Sequence, residues 1–257
     1  MDDMPETQNQ DIIKYSIIAG ILIIIAIAFF TFSGTNIFGN EHTKMLVIGS
    51  TTQDTIQILN DNRNSIDYIV KTPISLERNS EEQLKEYKII MLDQSEDTSK
   101  EISKELGDAL QNFVKKGGNL IIVKDSGIKR PDTKDIVGWE PTFLELVPVK
   151  CNRIGNNELT CANRILVQGK LLRQAENHPI MQGIDQFPVG ENINATFETF
   201  AVERTGTEIA YIKSSASDKQ SFVGIAEKKN MLGKTIYFNY NPGKTRGIFE
   251  ATLDYLG

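Results

Sequence analysis

From Tyr15 to Asn40 no side chain is charged, and Ile17 to Phe32 is almost wholly Ile, Leu, Ala and Phe. At ~1.5 Å per residue, roughly 20 apolar residues cross the ~30 Å hydrocarbon core of a bilayer, so this run predicts a transmembrane helix. We assign it to residues 15–36, behind a tail at 1–14 and ahead of a linker at 37–44. The competing reading is a cleaved signal peptide, whose apolar region is normally about 7–15 residues long, with net positive charge before it and small residues after it. Here Asp2, Asp3, Glu6 and Asp11 precede the run against a single Lys14, and no A-x-A pattern follows. Retention of the helix is expected.

From residue 45 the spacing of apolar positions changes repeatedly. Met45 to Ile48 is a short apolar run closed by Gly49; Ser50, Thr51 and Thr52 are suitable helix caps, and Ile56 and Leu59 follow at helical spacing. Ile66 to Val70, closed by Pro73, reads as a second strand. Ser80 with Gln83 three residues on has the spacing of a capping box and opens a short helix containing Leu84. Tyr87 to Leu92 is then a third strand, ending at Asp93. Thr98 with Glu101 forms a second capping box before a helix whose apolar face is Ile102, Leu106, Leu110, Phe113 and Val114. Lys115 and Lys116 suit its negative end, and Gly117 suits the left-handed residue beyond it. Asn119 to Val123 is a fourth strand. Alternating strands and helices predict a parallel sheet covered on both faces.

Between Pro131 and Asn241 no strong helical pattern occurs. Strand candidates run at Leu146–Arg153, Glu158–Gln168, Phe197–Glu203, Ile209–Lys213, Phe222–Glu227 and Thr235–Phe238. A final helix carries Ile248, Phe249, Thr252, Leu253 and Leu256 on one face. The fold class expected is α/β: a flavodoxin-like, doubly wound, mainly parallel sheet with a β-rich insertion, occupying residues 45–257 and preceded by one transmembrane helix.

Cys151 and Cys161 flank Gly155-Asn156-Asn157, which is turn chemistry. A hairpin centred there makes residues whose numbers sum to 312 face one another, with Cys151 opposite Cys161, inside the Cα separation a disulfide needs. A bridge implies an oxidising compartment. That breaks a tie, because the positive-inside rule finds Lys14 on one side of the apolar run and Lys44 on the other. The expectation is a cytoplasmic N-terminus and a soluble domain outside the cytoplasm; two small buried thiols in a reduced protein are the alternative. Asn194-Ala195-Thr196 matches a glycosylation acceptor, making Asn194 a candidate.

Composition narrows the function classes. The 257 residues are 40% hydrophobic, enough for one large core and an anchor. A formal charge of -6 repels phosphate backbones, so no nucleic-acid partner is expected. Two cysteines and two histidines are too few for a closed zinc site unless carboxylates complete it; neither metal nor cofactor is expected. Gly243-Lys244-Thr245 lacks the Gly that a P-loop needs five residues before its Gly-Lys, where Phe238 stands instead, and Gly233-Lys234-Thr235 has Lys228 there.

Ligands of doubly wound sheets sit at the carboxyl ends of the strands, which makes Gly49, Ser50, Asp93, Asp125 and Ser126 the crevice candidates. Ser126 becomes a nucleophile if His178 reaches it; a turn histidine with a satisfied ring is the plainer reading of His178 beside Pro179. Cys151 is explained better by its partner Cys161 than as a nucleophile. Trp139, Phe143 and Leu144 either line an apolar pocket or pack a core.

The stretch Leu110-Gln111-Asn112-Phe113-Val114-Lys115-Lys116-Gly117-Gly118-Asn119-Leu120-Ile121-Ile122-Val123 resembles one that recurs in the class I glutamine amidotransferase-like superfamily. Its non-catalytic branches are nearest: trehalose-utilisation-type proteins, the trimerisation domain of some β-galactosidases, and soluble domains of gliding-type transport proteins. His178 to Ile184, and Gly233 to Phe238 running into Asn241-Pro242-Gly243, are similar to the same group. Active members carry a nucleophilic Cys on the turn after a central strand and a His near the C-terminus. Here that turn holds Asp125 and Ser126, and no His follows His178. The resemblance implies the fold without the catalytic set.

The function expected is a single-pass membrane-anchored, non-enzymatic domain that binds a ligand or partner within a membrane or cell-envelope complex. Its partners are the lipid bilayer and other membrane or envelope proteins. The alternatives are a serine-dependent hydrolase or transferase using Ser126 and His178 with Asp93 or Asp125, and a structural assembly subunit whose β-rich half is an oligomer interface.

Overall fold

The computed structural model describes residues 42–133, 137–143, 146–154, 158–217 and 219–257. The expected N-terminal tail and transmembrane helix, the Gly155–Asn157 loop and Leu144 lie outside the described residues. Among the described residues no helix is long and apolar enough to cross a membrane. His42–Gly257 forms one compact unit.

Its first part alternates strand and helix: β1 Thr43–Ile48, α1 Gln53–Asp61, β2 Ile66–Lys71, α2 Ser80–Leu84, β3 Ile89–Leu92, α3 Lys104–Lys115 and β4 Asn119–Val123. Then come α4 Glu140–Phe143, β5 Val149–Cys151, β6 Arg153–Ile154, β7 Glu158–Leu159, β8 Arg164–Arg173, β9 Gln186–Phe187, β10 Ala195–Phe200, β11 Val202–Arg204, β12 Thr207–Ser214, β13 Ser221–Asn230, β14 Gly233–Phe238 and α5 Arg246–Leu256.

The main sheet runs β10-β8-β12-β13-β14-β4-β3-β1-β2, with β9 also on β8. Strands β2, β1, β3, β4 and β14 are parallel, whereas β13, β12, β8 and β10 continue the same sheet in antiparallel pairs. The protein is therefore a mixed α/β domain with a parallel centre. The β-rich insertion does not form a separate lobe. It widens the sheet.

Alternation along the central strands sends side chains to two cores. Met45, Val47, Met91, Ile121 and Phe238 meet Ile58 and Leu59 of α1 and Ile248, Phe249 and Leu253 of α5. Leu46, Ile48, Ile90, Leu92 and Ile122 meet Leu84 of α2 and Leu106, Leu110 and Val114 of α3. Burial on both faces is why these strands read as continuous apolar runs.

Two helix starts differ from the capping-box reading. α3 begins at Lys104, where Ser103 Oγ accepts the Leu106 N–H at 3.2 Å; Glu101 instead bridges Lys129 as an isolated β contact, and Ile102 is buried. The N-cap position of α2 falls on Asn79, not Ser80, whose hydroxyl donates to the Leu76 carbonyl.

The cysteine hairpin has the expected register. Arg153 faces Leu159 and Ile154 faces Glu158, and Cys151 and Cys161 form a disulfide with Cα atoms 5.2 Å apart. The long strands expected around it are broken, because Thr160 to Asn163 turn the chain between β7 and β8 and β5 pairs with β11 instead.

Candidate functional site

The parallel strands end together at β1, β3, β4 and β14, and the five crevice candidates fall on the loops that follow. Gly49 has φ +102°, and a Cβ there would stand 2.4 Å from the Asp93 carbonyl oxygen. Only a residue without a side chain lets the β1 and β3 ends approach so closely. Ser50, exposed, donates its N–H to the Asp97 carboxylate at 3.1 Å, and its carbonyl accepts the Glu96 N–H at 2.9 Å.

Asp93 is fully buried. Its carboxylate accepts the Thr51 hydroxyl and the Ser95 N–H, the latter at 2.9 Å. Burial pushes the Asp93 carboxyl above its ordinary value, although the bonds from Ser95 and Thr51 and the Lys124 charge act the other way.

Ser126 is also fully buried. Its Oγ accepts the Gln94 N–H at 2.8 Å, and its carbonyl accepts the Trp139 indole N–H at 3.1 Å. Gln94 closes the loop by accepting the Gly127 N–H at 2.8 Å. Asp125 faces Lys100 at 3.8 Å, and the same ammonium donates to the Gln94 carbonyl. Trp139 packs edge-on against Tyr237, with ring centroids 5.6 Å apart, and Phe143 is fully buried. Both are core residues.

His178 stands elsewhere. Its Nδ1 accepts the Ile180 N–H at 3.3 Å, its Nε2 lies 3.4 Å from Glu227, and its ring packs against Tyr255. Burial opposes ionisation of Glu227, but the bonds from His178 and Tyr255 outweigh it and lower the carboxyl below its usual range. The structure thus gives Ser126 and His178 separate partners. Asn194 is exposed just before β10.

The insertion supplies residues that sequence reasoning missed. β10 returns to the carboxyl edge: Phe197 packs against Tyr240 with centroids 5.3 Å apart, and Lys244 Nζ donates to the Thr196 carbonyl at 2.9 Å. Lys124, at φ +51°, reaches Glu198 at 2.8 Å, and Arg164 reaches the same carboxylate at 3.2 Å. Asn239 follows β14 and is fully buried. Its Nδ2 donates to the Phe200 and Val223 carbonyls, each at 2.8 Å, while Oδ1 accepts the Phe200 N–H at 3.1 Å and the Tyr237 hydroxyl at 3.0 Å. A second amide, Asn241, accepts Thr52 and Thr55 hydroxyls at 3.1 Å and the Gly243 N–H at 2.9 Å. That ties the start of α1 to the turn before α5.

The polar groups at this edge bond mainly to one another. Thr51 with Asp93 is the hydroxyl–carboxylate contact at this edge; Ser126 Oγ has no His, Lys, Asp or Glu side chain at hydrogen-bond distance among the described residues, and no group of three or more His, Cys, Asp or Glu is arranged to hold a metal among them.

No protein-family model matches the chain, and no curated protein matches it. Solved structures do. A cytoplasmic protein from Salmonella typhimurium LT2 is 13% identical, over 78% of this chain and 89% of that one, with a TM-score of 0.51. A cold-adapted β-galactosidase from Rahnella sp. R3 is 10% identical, over 84% of this chain but 31% of its own, with a TM-score of 0.53. A putative GMP synthase component from Thermoplasma acidophilum is 12% identical over 84% of this chain and 94% of that one, at a TM-score of 0.44 too low to carry weight. The first two likenesses show the fold alone, and this chain spans less than a third of the β-galactosidase's length.

Proposed function

We propose that the chain is a single-pass membrane-anchored protein whose domain faces out of the cytoplasm and acts as a non-catalytic binding module of a membrane or envelope complex. The domain has the flavodoxin-like order, since β2-β1-β3-β4-β14 is the 2-1-3-4-5 arrangement of parallel strands. With the resemblance in Leu110–Val123, that order supports a non-catalytic branch of the class I glutamine amidotransferase-like superfamily.

One observation carries the reading: the two groups expected to do chemistry at the strand ends, Ser126 and Asp93, are bonded internally. Ser126 Oγ holds the Gln94 N–H and Asp93 holds Thr51 and Ser95. Activating a serine requires a base within hydrogen-bond reach, and His178 is engaged with Ile180 and Glu227. The Cys151–Cys161 bridge supports an oxidising compartment.

The test uses the full-length protein in intact cells. A membrane-impermeant thiol probe is expected to label Cys151 and Cys161 only after reduction, and an impermeant crosslinker to capture discrete membrane or envelope neighbours. Labelling by a serine-directed fluorophosphonate, lost in Ser126→Ala, would replace this reading with the hydrolase one.

An assembly role has one observation in its favour. β2 is the outer strand of the sheet and leaves Ile69 and Val70 42% and 48% exposed, beside Ile74 at 77%. Open apolar edges invite pairing. This patch lies at the parallel end of the sheet, not on the β-rich half where the sequence places an oligomer interface.

A further inference from the structure

The amino ends of the parallel strands carry a different surface. Register sets Met45, Ile89, Asn119 and Lys234 in one row across β1, β3, β4 and β14. Two residues further out along the chain are Thr43, Tyr87, Gly117 and Leu232. A Cβ on Gly117 would lie 3.6 Å from that of Leu232, so this outer row is real where it can be checked. The start of β1 therefore lies on the edge that also holds the β13–β14 hairpin tip, roughly 14 Å away at three strand spacings.

That tip is Met231-Leu232, 82% and 77% exposed. Met231 holds φ +54°, where hairpin turns favour Gly, Asn or Asp. Folding gains nothing from two large apolar side chains in water at a position that prefers small or polar ones.

Lysines surround the tip and continue along the edge. Lys115 and Lys116 end α3 next to Gly117, Lys229 lies on β13, and Lys44 and Lys88 stand at the starts of β1 and β3; all are exposed. Glu86 and Glu81 face Lys44 and Lys116 at 3.4 and 3.9 Å, exposed pairs of little strength. Lys115 and Lys229 have no ion-pair partner among the described residues. In a chain of formal charge -6, this edge gathers cations around an apolar point.

We infer that the edge is a membrane-contact surface: Met231 and Leu232 enter the interfacial layer of the bilayer, and Lys115, Lys116 and Lys229 lie against anionic headgroups. Exposed apolar side chains ringed by lysines suit that layer, where acyl chains and negative charge adjoin. The inference rests on the anchored reading above. The roughly six residues from the expected end of the helix at Asn36 to His42 span at most ~20–22 Å, so an anchored domain stays within reach of the lipid. A second copy or a protein partner has no comparable reason to meet the edge from which the tether leaves.

The experiment uses full-length protein in vesicles of phosphatidylcholine and phosphatidylglycerol containing a phospholipid with a photoactivatable diazirine on its acyl chain. After illumination, lipid adducts are mapped on tryptic peptides. Adducts are expected on the anchor and on Asn230–Lys234, with Ile165–Lys170, which carries the exposed Leu166 of β8, as the unlabelled control. Met231→Glu with Leu232→Glu should cut hairpin labelling about tenfold and leave the anchor labelled and the melting transition in place. Lys115→Gln with Lys229→Gln should reduce it several-fold in anionic vesicles and not in neutral ones. Anchor adducts with a hairpin no more labelled than the control would overturn the inference alone, as would a hairpin crosslinked to protein and not to lipid. An unlabelled anchor on protein that alkaline carbonate washes from the vesicles would overturn the anchored reading and the inference with it.

Discussion

The two ends of the parallel strands treat their side chains in opposite ways. At the carboxyl end, polar groups turn inward: Asn239, Asp93 and Ser126 are fully buried and bonded to neighbouring loops. At the amino end, apolar groups turn outward, with Met231 and Leu232 more than three-quarters exposed. The first pattern serves stability, since buried polar groups are costly unless matched. The second gives stability away. In a doubly wound sheet the carboxyl end is where a ligand is looked for first; here the unspent interaction capacity lies at the other end.

The largest test of that contrast is Asn239→Ala. It strands the Phe200 and Val223 carbonyls, the Phe200 N–H and the Tyr237 hydroxyl, and should lower unfolding free energy by about 3–5 kcal/mol in urea titration. A loss under about 1 kcal/mol would mean that water repairs this end easily.

The disulfide belongs to neither end and sets the scale for both. Its half-cystines are separated by 10 in sequence, so Cys151→Ser with Cys161→Ser should cost about 2–3 kcal/mol by loop entropy. The measurement is again unfolding in urea, with and without reductant; reductant should leave the double variant unchanged.

Met231→Gly should act with the opposite sign. It relieves a left-handed non-glycine residue and is expected to raise stability by about 1 kcal/mol, visible as a higher melting temperature. Destabilisation would show that the exposed Met already packs against something in the free domain.

The smallest effect is a slope. Because burial raises the folded-state pKa of Asp93 above its unfolded value, the folded protein holds that proton to higher pH than the unfolded chain does. The contribution to stability is complete below the unfolded pKa and is lost as pH rises through the folded one. Asp93→Asn should flatten the stability profile over that acid-side window, measured by urea unfolding at a series of pH values.

Much of this fold is legible in the sequence. Three of the parallel strands before residue 124, β1, β3 and β4, announce themselves as buried apolar runs, the edge strand β2 shows through its β-branched residues, and the cysteine hairpin follows from the symmetry of Cys151 and Cys161 about Gly155-Asn156-Asn157. Capping boxes misled because Ser, Thr and Glu at that spacing also serve turns: Thr98 and Glu101 lie in a loop that bridges Lys129, and Ser103 does the capping. The crevice candidates fall at the strand ends because topology fixes where those loops go. Their partners were not readable. Gln94, Lys124 and Asn239 meet Ser126, Glu198 and Phe200 across 32, 74 and 39 positions, and no local pattern encodes such pairings. Lys124 is further disguised by a left-handed backbone that its sequence neighbours do not suggest. The hairpin tip escaped notice for the converse reason, as two apolar residues between strand candidates look like core until their exposure is seen.

β14 lies in the middle of the sheet, bonded to β4 on one side and β13 on the other, yet it is the last strand in the chain order. During synthesis β4, beside β3, and β13, beside β12, each keep one open edge until Gly233–Phe238 emerges, and neither has its second neighbour before then. A nascent chain stopped ahead of that segment would present two strands, each with one open edge, at once, the kind of surface on which chaperones act and aggregates begin.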